Sequence, residues 1–201
     1  EVSLLAFVDR NNIYIMDSAQ DHKPIGEGDT GPNTGGMGAY SPTTLLDDAL
    51  VRQIQAEILV PIVDAMRTQG ITYRGVLYTG LMLTQGGPKV LEFNCRFGDP
   101  ETQPLLMRLR TDLLDVFDAV IDDRLDRITL QWDPRPAVCV VMAAGGYPGK
   151  YERGKAISGL EEVAAMRDVV VFHAGTRKVA NRVVTDGGRV LGVTALGNTI
   201  A

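Results

Sequence analysis

The sequence predicts an α+β fold: an antiparallel sheet with helices, followed by a smaller, mostly-β C-terminal region. Three observations predict it. Apolar runs at 2–8 and 12–16 flank Asp9-Arg10-Asn11, whose turn chemistry makes a hairpin. Between 47 and 69, Leu50, Ile54, Ile58, Ile62 and Met66 recur at helical spacing. Beyond residue 136 the pattern turns to short apolar runs of strand length.

Taken in order, the first hairpin is followed by a polar, irregular stretch at 21–29. It leads into Thr30-Gly31-Pro32-Asn33-Thr34-Gly35-Gly36-Met37-Gly38, the start of the longest segment without periodicity. We read 30–42 as a loop, and a loop of that length in a compact domain is usually functional or disordered. The helix over 47–69 has Asp47 as N-cap and Gly70 just past its end. Pro61 lies inside the pattern and should kink or split it. Strands at 75–83 and 89–94, joined through Gln85-Gly86-Gly87-Pro88, make a second hairpin. Pro104 opens a short helix to 109. Asp112 caps another over 113–122, with Leu113, Leu114, Phe117, Val120 and Ile121 as its apolar set. Charges and prolines at 123–136 mark a boundary, so residues 1–127 are assigned to one domain and 128–201 to a second. Strands are predicted at 137–143, 169–173, 182–185 and 189–195, with a short helix at 160–166.

Composition narrows the function classes. The chain has 201 residues, enough for one large or two small domains, and 45% hydrophobic residues, enough for an ordinary core. A net charge of −5 does not indicate a nucleic-acid footprint. No apolar run reaches the length of a membrane span. Cys95 and Cys139 form no disulfide framework, so a reducing cytoplasm is the expected setting. There is no paired Cys/His zinc spacing and no nucleophile-elbow serine.

The chemistry-bearing stretch is 90–103. Glu92 and Asn94 are two apart, so on a strand they share a face, and Arg96 continues it if the strand runs that far. Leu91 and Phe93 take the other face and anchor the strand in a core. Cys95 points to the buried side as packing. Hard oxygen donors beside a guanidinium suit Mg²⁺ and a transferring phosphoryl group. From spacing alone, solvent-facing polarity on an edge strand fits equally. The glycines at 31, 35, 36 and 38 let backbone N–H groups approach an anion, yet the pattern is neither a P-loop nor a dinucleotide fingerprint. A surface loop fits it as well. Asp21-His22-Lys23 groups anionic, titratable and cationic side chains, and a solvated loop is the plainer reading. His173 and the turn-rich 145–149 read as structural.

The wider motifs resemble one family. Arg96-Phe97-Gly98-Asp99-Pro100-Glu101-Thr102-Gln103, Gln20-Asp21-His22-Lys23, the 29–40 stretch and Leu91-Glu92-Phe93-Asn94-Cys95-Arg96 are similar, in the same order, to glycinamide ribonucleotide synthetases. So are Gly146-Tyr147-Pro148-Gly149, His173-Ala174-Gly175-Thr176 and Gly187-Gly188-Arg189-Val190-Leu191. The resemblance implies part of an ATP-grasp core followed by a C-terminal ligase domain. It implies ATP-dependent joining of glycine to 5-phosphoribosylamine through a glycyl phosphate, an early step of purine synthesis, by a monomer.

Carried over, Glu92 and Asn94 hold Mg²⁺ or Mn²⁺, and Arg96 stabilises phosphoryl charge. Asp29, Thr30, Gly31, Asn33, Gly35, Gly36, Met37 and Gly38 cradle phosphoribosylamine or glycine. Asp21, His22 and Lys23 sit near phosphates or ribose. Leu81 or Met82 lines the adenine pocket, and Asp99 and Glu101 order Arg96 or contact the amine. The family's second metal carboxylate has no counterpart at Gly80-Leu81-Met82. The same resemblance places an N-terminal domain and an ATP-clasping lid before Glu1 and further structure after Ala201. On that reading the chain alone binds ATP weakly and does not turn over. Two alternatives are another ATP-grasp ligase, acting on a different purine intermediate or on bicarbonate, and a non-catalytic structural fragment.

Overall fold

A computed structural model describes residues 1–201. In chain order the strands and helices begin with β1 (Val2–Val8), β2 (Ile13–Ile15), β3 (Gln20–Gly26) and β4 (Thr30–Ser41). Then come α1 (Asp48–Ile54), α2 (Val60–Thr68), β5 (Gly75–Thr84), β6 (Gly87–Asn94), α3 (Thr102–Arg108) and α4 (Leu113–Ile121). The chain finishes with β7 (Ala137–Ala143), α5 (Leu160–Ala164), β8 (Val169–His173), β9 (Thr176–Val179), β10 (Arg182–Thr185) and β11 (Arg189–Leu196). No helix is long and apolar enough to cross a membrane. The chain divides into two compact units that interleave along the sequence. The first comprises Glu1–Gln20, Pro42–Gly98 and Leu109–Asp133; the second comprises Asp21–Ser41, Asp99–Arg108 and Pro134–Ala201.

In the first unit an antiparallel sheet runs in the order β2-β1-β5-β6. Every residue of β1 is buried, because layers cover both of its faces. Val2, Leu4, Ala6 and Val8 pack with Ile54, Leu59, Val63, Leu77 and Leu81. On the other face Phe7 meets the edges of Phe97 and Phe117, with ring centroids 6.2 and 6.5 Å apart. Asp47 caps α1 as expected, accepting from Leu50 N–H at 2.8 Å, and Asp112 caps α4 through Leu114 N–H at 2.8 Å. The buried face of α4 is Val116, Ala119 and Val120, while Leu114 and Ile121 from the predicted apolar set face solvent. Pro61 does split the long helix. It has no N–H to donate and its ring crowds the carbonyl one turn earlier, and the preceding turn, Gln55–Leu59, opens into a π-helix.

The turn after β1 is held by Asp9, which is almost fully buried. Its Oδ1 accepts from the N–H groups of Asn11 (2.8 Å) and Asn12 (2.7 Å), and its Oδ2 from Leu125 N–H (2.9 Å). Burial alone would push the carboxyl up. The N–H groups of Leu125 and Asn11 and the side chain and N–H of Asn12 outweigh it and hold the carboxyl below the ordinary aspartate value. The stabilisation is therefore present above the unfolded-state value of about 3.9 and is lost as pH falls through the lower folded value. Asp9→Ala is expected to cost ~3 kcal/mol by leaving buried donors without an acceptor. It should also flatten the acid limb of a plot of urea midpoint against pH. An unchanged midpoint at pH 7 would rule this role out.

In the second unit a five-stranded sheet runs β3-β4-β7-β11-β8, with β4, β7, β11 and β8 antiparallel in turn. α3 lies across β4, β7 and β11, and α5 packs on β8. A separate ribbon pairs β9 with β10, and β9 is a strand that sequence patterning missed. Arg108, buried at the end of α3, donates to Ser41 Oγ (2.8 Å) and Arg135 O (2.9 Å). It thereby ties the helix to the end of β4. One expectation is overturned here: residues 20–41 are not a loop but a β-hairpin, β3 and β4, closed by a turn at 27–29. Gly28 and Asp29 both have positive φ in that turn. Glycine-rich strands carry too few side chains for alternation to show, so the period-2 signal was absent.

Candidate active site

The residues singled out from sequence fall on both units. On the first, Glu92 and Asn94 occupy the C-terminal end of β6, the edge strand of its sheet. The strand stops at Asn94, and Arg96 lies in the bend beyond it, not on the strand. The pairing with β5 slips between Gly80 and Leu81: Gly80 opposes Glu92 whereas Leu81 opposes Val90, so Leu91 is the extra residue of a β-bulge. Bulges re-aim side chains and gather near active sites. Here the bulge, together with the edge position, corrects the predicted anchoring. Leu91 (50% exposed) and Phe93 (38%) do not sit in a core, because β5 is the only extensive neighbour of β6. Cys95 is likewise exposed, not packed inside. The Tyr73 hydroxyl donates to Val76 O at 2.7 Å, and its phenol is pushed up first by burial and then by the neighbouring Cys95.

Glu92 takes its room from Gly80. A Cβ on Gly80 would approach Glu92 Cγ at 3.2 Å, so the missing side chain on β5 lets the Glu92 stem lie across the strand pair. No ion pair or hydrogen bond within the chain claims the Glu92 carboxylate. Asn94 is half-buried and its Nδ2 has no acceptor in the chain. A carboxylate and an amide, both uncommitted and two apart, are a hard donor pair that fits Mg²⁺ or Mn²⁺ with phosphate and water completing the shell. No cluster of three or more His, Cys, Asp or Glu side chains is placed to hold a metal alone. Arg96 is exposed. Its Nη1 donates to Phe97 O (2.8 Å), and the rest of its fork is open. Leu81 is fully buried in the core of its unit, so of the two adenine candidates only Met82, 38% exposed, presents a side chain at the surface.

The second unit carries the other candidates on the β3–β4 hairpin. Asp21 is buried, with Lys23 Nζ 3.7 Å from its Oδ2. His22 is held by Asp29, Nδ1 to Oδ1 at 3.0 Å, and its ring stacks on Tyr40 at 6.2 Å. His22, Asp29 and Tyr40, with Met37 and Gly38, line a cleft of about 430 Å³ closed by Val138, Cys139 and Val140, whereas Asp21 and Lys23 lie outside its lining. Thr30, Gly31 and Asn33 lie on the exposed first half of β4. Thr34 Oγ1 donates to Lys23 O (2.7 Å) and accepts from Gly36 N–H (3.0 Å).

Asp99 is paired with a residue the sequence reading assigned no role. Its Oδ2 accepts from Arg189 Nη2 at 3.1 Å, while Gln103 Nε2 donates to its Oδ1 at 3.0 Å. Glu101 is buried, 2% exposed, at the start of α3. Tyr147, read earlier as part of a plain connection, accepts from Gly35 N–H at 3.3 Å. The available signal for both missed residues was glycine placement: Gly187-Gly188 precede Arg189, and Gly188 leaves space for the Tyr147 ring.

The fold and the family comparison place the chain among ATP-grasp proteins. A family model for the phosphoribosylglycinamide synthetase ATP-grasp (A) domain matches residues 1–102, and the C-domain model of the same synthetase matches 137–201. The chain belongs to the phosphoribosylglycinamide synthetase family. A phosphoribosylamine–glycine ligase of Rhodopirellula baltica is 58% identical over 202 residues, covering 100% of this chain and 46% of the relative. One from Vibrio cholerae is 51% identical over 203 residues, covering 100% and 47%. The crystal structure of a phosphoribosylamine–glycine ligase from Thermotoga maritima superposes with a TM-score of 0.86 at 33% identity, covering 99% of this chain and 48% of that one. The chain thus spans about half the length of the relatives it matches.

Proposed function

We propose that this chain supplies the metal and phosphoryl-transfer strand, and the substrate hairpin, of an ATP-dependent phosphoribosylamine–glycine ligase. Residues 1–127 belong to its catalytic core and 128–201 to its C-terminal domain. The observation that carries the reading is the family match over residues 1–102, which takes in the 29–38 stretch and Glu92, Asn94 and Arg96 together. The two free cysteines suit a reducing cytoplasm.

In the proposed reaction a glycine carboxylate oxygen attacks the γ-phosphorus of ATP, and the bond to the ADP oxygen breaks. The amine of 5-phosphoribosylamine then attacks the carbonyl carbon of glycyl phosphate. Phosphate leaves, the nitrogen loses a proton, and glycinamide ribonucleotide results. Glu92 and Asn94 are the residues to hold Mg²⁺ or Mn²⁺, which when bound neutralises phosphate charge. The open fork of Arg96 meets the oxygens of the transferring phosphoryl group. Backbone N–H groups of the glycine-rich strand, with Asp29, Thr30 and Asn33, orient phosphoribosylamine or glycine. His22 and Lys23 stand over ribose or phosphate, with Asp21 and Asp29 orienting them. Met82, backed by the buried Leu81, contributes apolar surface to adenine. Asp99 and Glu101 shape the turn beside the amine substrate.

The test is ADP release by an enzyme of the relatives' full length carrying this segment. Release that requires glycine and phosphoribosylamine together is the expected result. Release with bicarbonate or another acceptor in their place, or none in any mixture from a folded enzyme, overturns the reading.

A further inference from the structure

Arg189 opens β11 directly after a double-glycine turn, and the backbone around it is tightly registered. Its carbonyl accepts from Gly175 N–H at 2.9 Å, and Gly188 O accepts from Ala144 N–H at 2.7 Å. The side chain leaves this fixed base, only 23% exposed, and ends on two segments far away in sequence. Nη1 donates to Gly35 O (2.7 Å), to Asp99 O (2.9 Å) and, at a longer 3.3 Å, to Gly36 O. Nη1 has two hydrogens, so the longest contact shares one of them. Nη2 donates to Asp99 Oδ2 at 3.1 Å. One guanidinium thus binds the carbonyls of the glycine strand and both the backbone and the carboxylate of the Asp99 turn.

The glycines fit this arrangement sterically. A Cβ on Gly35 would come within 2.9 Å of Arg189 Cζ, and one on Gly36, which has φ +113°, would run into the Pro100 ring. On the opposite side Tyr147 Oη takes the Gly35 N–H. Gly35 is therefore gripped at its N–H by Tyr147 and at its carbonyl by Arg189. Carbonyls drawn to Arg189 turn the peptide planes, and so the neighbouring N–H groups, into one fixed orientation.

We propose that Arg189 is the positioning residue that sets the geometry of Gly35 and Gly36 and of the Asp99 turn for the amine or carboxylate substrate, with Tyr147 as its counterpart. This rests on the ligase reading above, in which those segments contact phosphoribosylamine or glycine. Lysine cannot replace the arginine, because one ammonium cannot reproduce a planar fork spread over four acceptors.

Two measurements test it. In the full-length enzyme, Arg189→Lys and Arg189→Met are expected to lower kcat/KM for glycine or phosphoribosylamine about 100-fold while leaving the KM for ATP unchanged. In the present chain, Arg189→Met is expected to speed hydrogen exchange at the Gly35 and Gly36 amides, with the amides of β7 and β8 retaining their protection. Unchanged exchange at Gly35 and Gly36 overturns the proposal. So does a uniform loss of protection across the sheet with every KM unaltered, which marks a merely structural arginine. Silence of the unmutated full-length enzyme counts against the ligase reading alone, and the exchange result then decides the clamp.

Discussion

In a full-length enzyme carrying this segment, Glu92→Gln is expected to lower kcat by ~10³-fold in Mg²⁺, the order of loss seen when one preorganised electrostatic contact to a transition state is removed. The substitution keeps the size and planar shape of the side chain, removes its charge and replaces one acceptor oxygen by an NH2 donor. Glu92 is exposed on an edge strand and makes no ion pair in the chain, so folding does not depend on that charge. The urea midpoint should therefore stay within about 0.5 kcal/mol of the parent, as for other surface changes. A catalytic loss without a stability loss separates a metal ligand from a strand residue. Gly80 offers a check on the same point from the neighbouring strand. Gly80→Ala sets a methyl 3.2 Å from Glu92 Cγ and should weaken Mg²⁺ dependence without touching the carboxylate itself. Full turnover in Glu92→Gln moves the metal site away from β6.

Arg96→Lys is expected to lower kcat ~10²-fold with the KM for ATP unchanged, and Arg96→Met to lower it further. The reason is local geometry. The bend after β6 is anchored by Phe97, whose ring packs edge-on against Phe7 in the core at 6.2 Å. Arg96 is held to that anchor through one donor, to Phe97 O, which leaves a pre-oriented fork facing solvent. Neither substitution removes the Phe97 anchor, so the bend survives and only the fork is lost. An effect on kcat alone marks an interaction made in the transition state and not in the ground state. A rise in the KM for ATP with kcat intact assigns Arg96 to ATP binding instead.

Elements governed by local chemistry were legible in the sequence. The caps at Asp47 and Asp112, the splitting of the long helix at Pro61 and the alternation or continuous apolarity of β1, β5, β7 and β11 all follow from side-chain type and spacing. What was not legible depends on partners distant in the chain. The β3–β4 hairpin hid because glycine carries no alternating signal. The bulge at Leu91 arises only where β6 meets β5, and it left Leu91 and Phe93 exposed though their types suit a core. For the candidate site, Glu92, Asn94 and Arg96 were found by a two-residue period plus family resemblance. Arg189 and Tyr147 were not, because the nearby glycines hint at close packing but do not name Gly35 as the partner, which lies 154 and 112 positions away.

In the proposed ligase reaction a carboxylate is activated by phosphorylation before an amine takes it. Glycine labelled with ¹⁸O in its carboxylate tests this most directly in the full-length enzyme turning over with ATP and phosphoribosylamine. One ¹⁸O is expected in each phosphate released, because the attacking carboxylate oxygen leaves with the phosphoryl group. Phosphate released without label, alongside glycinamide ribonucleotide, would contradict it.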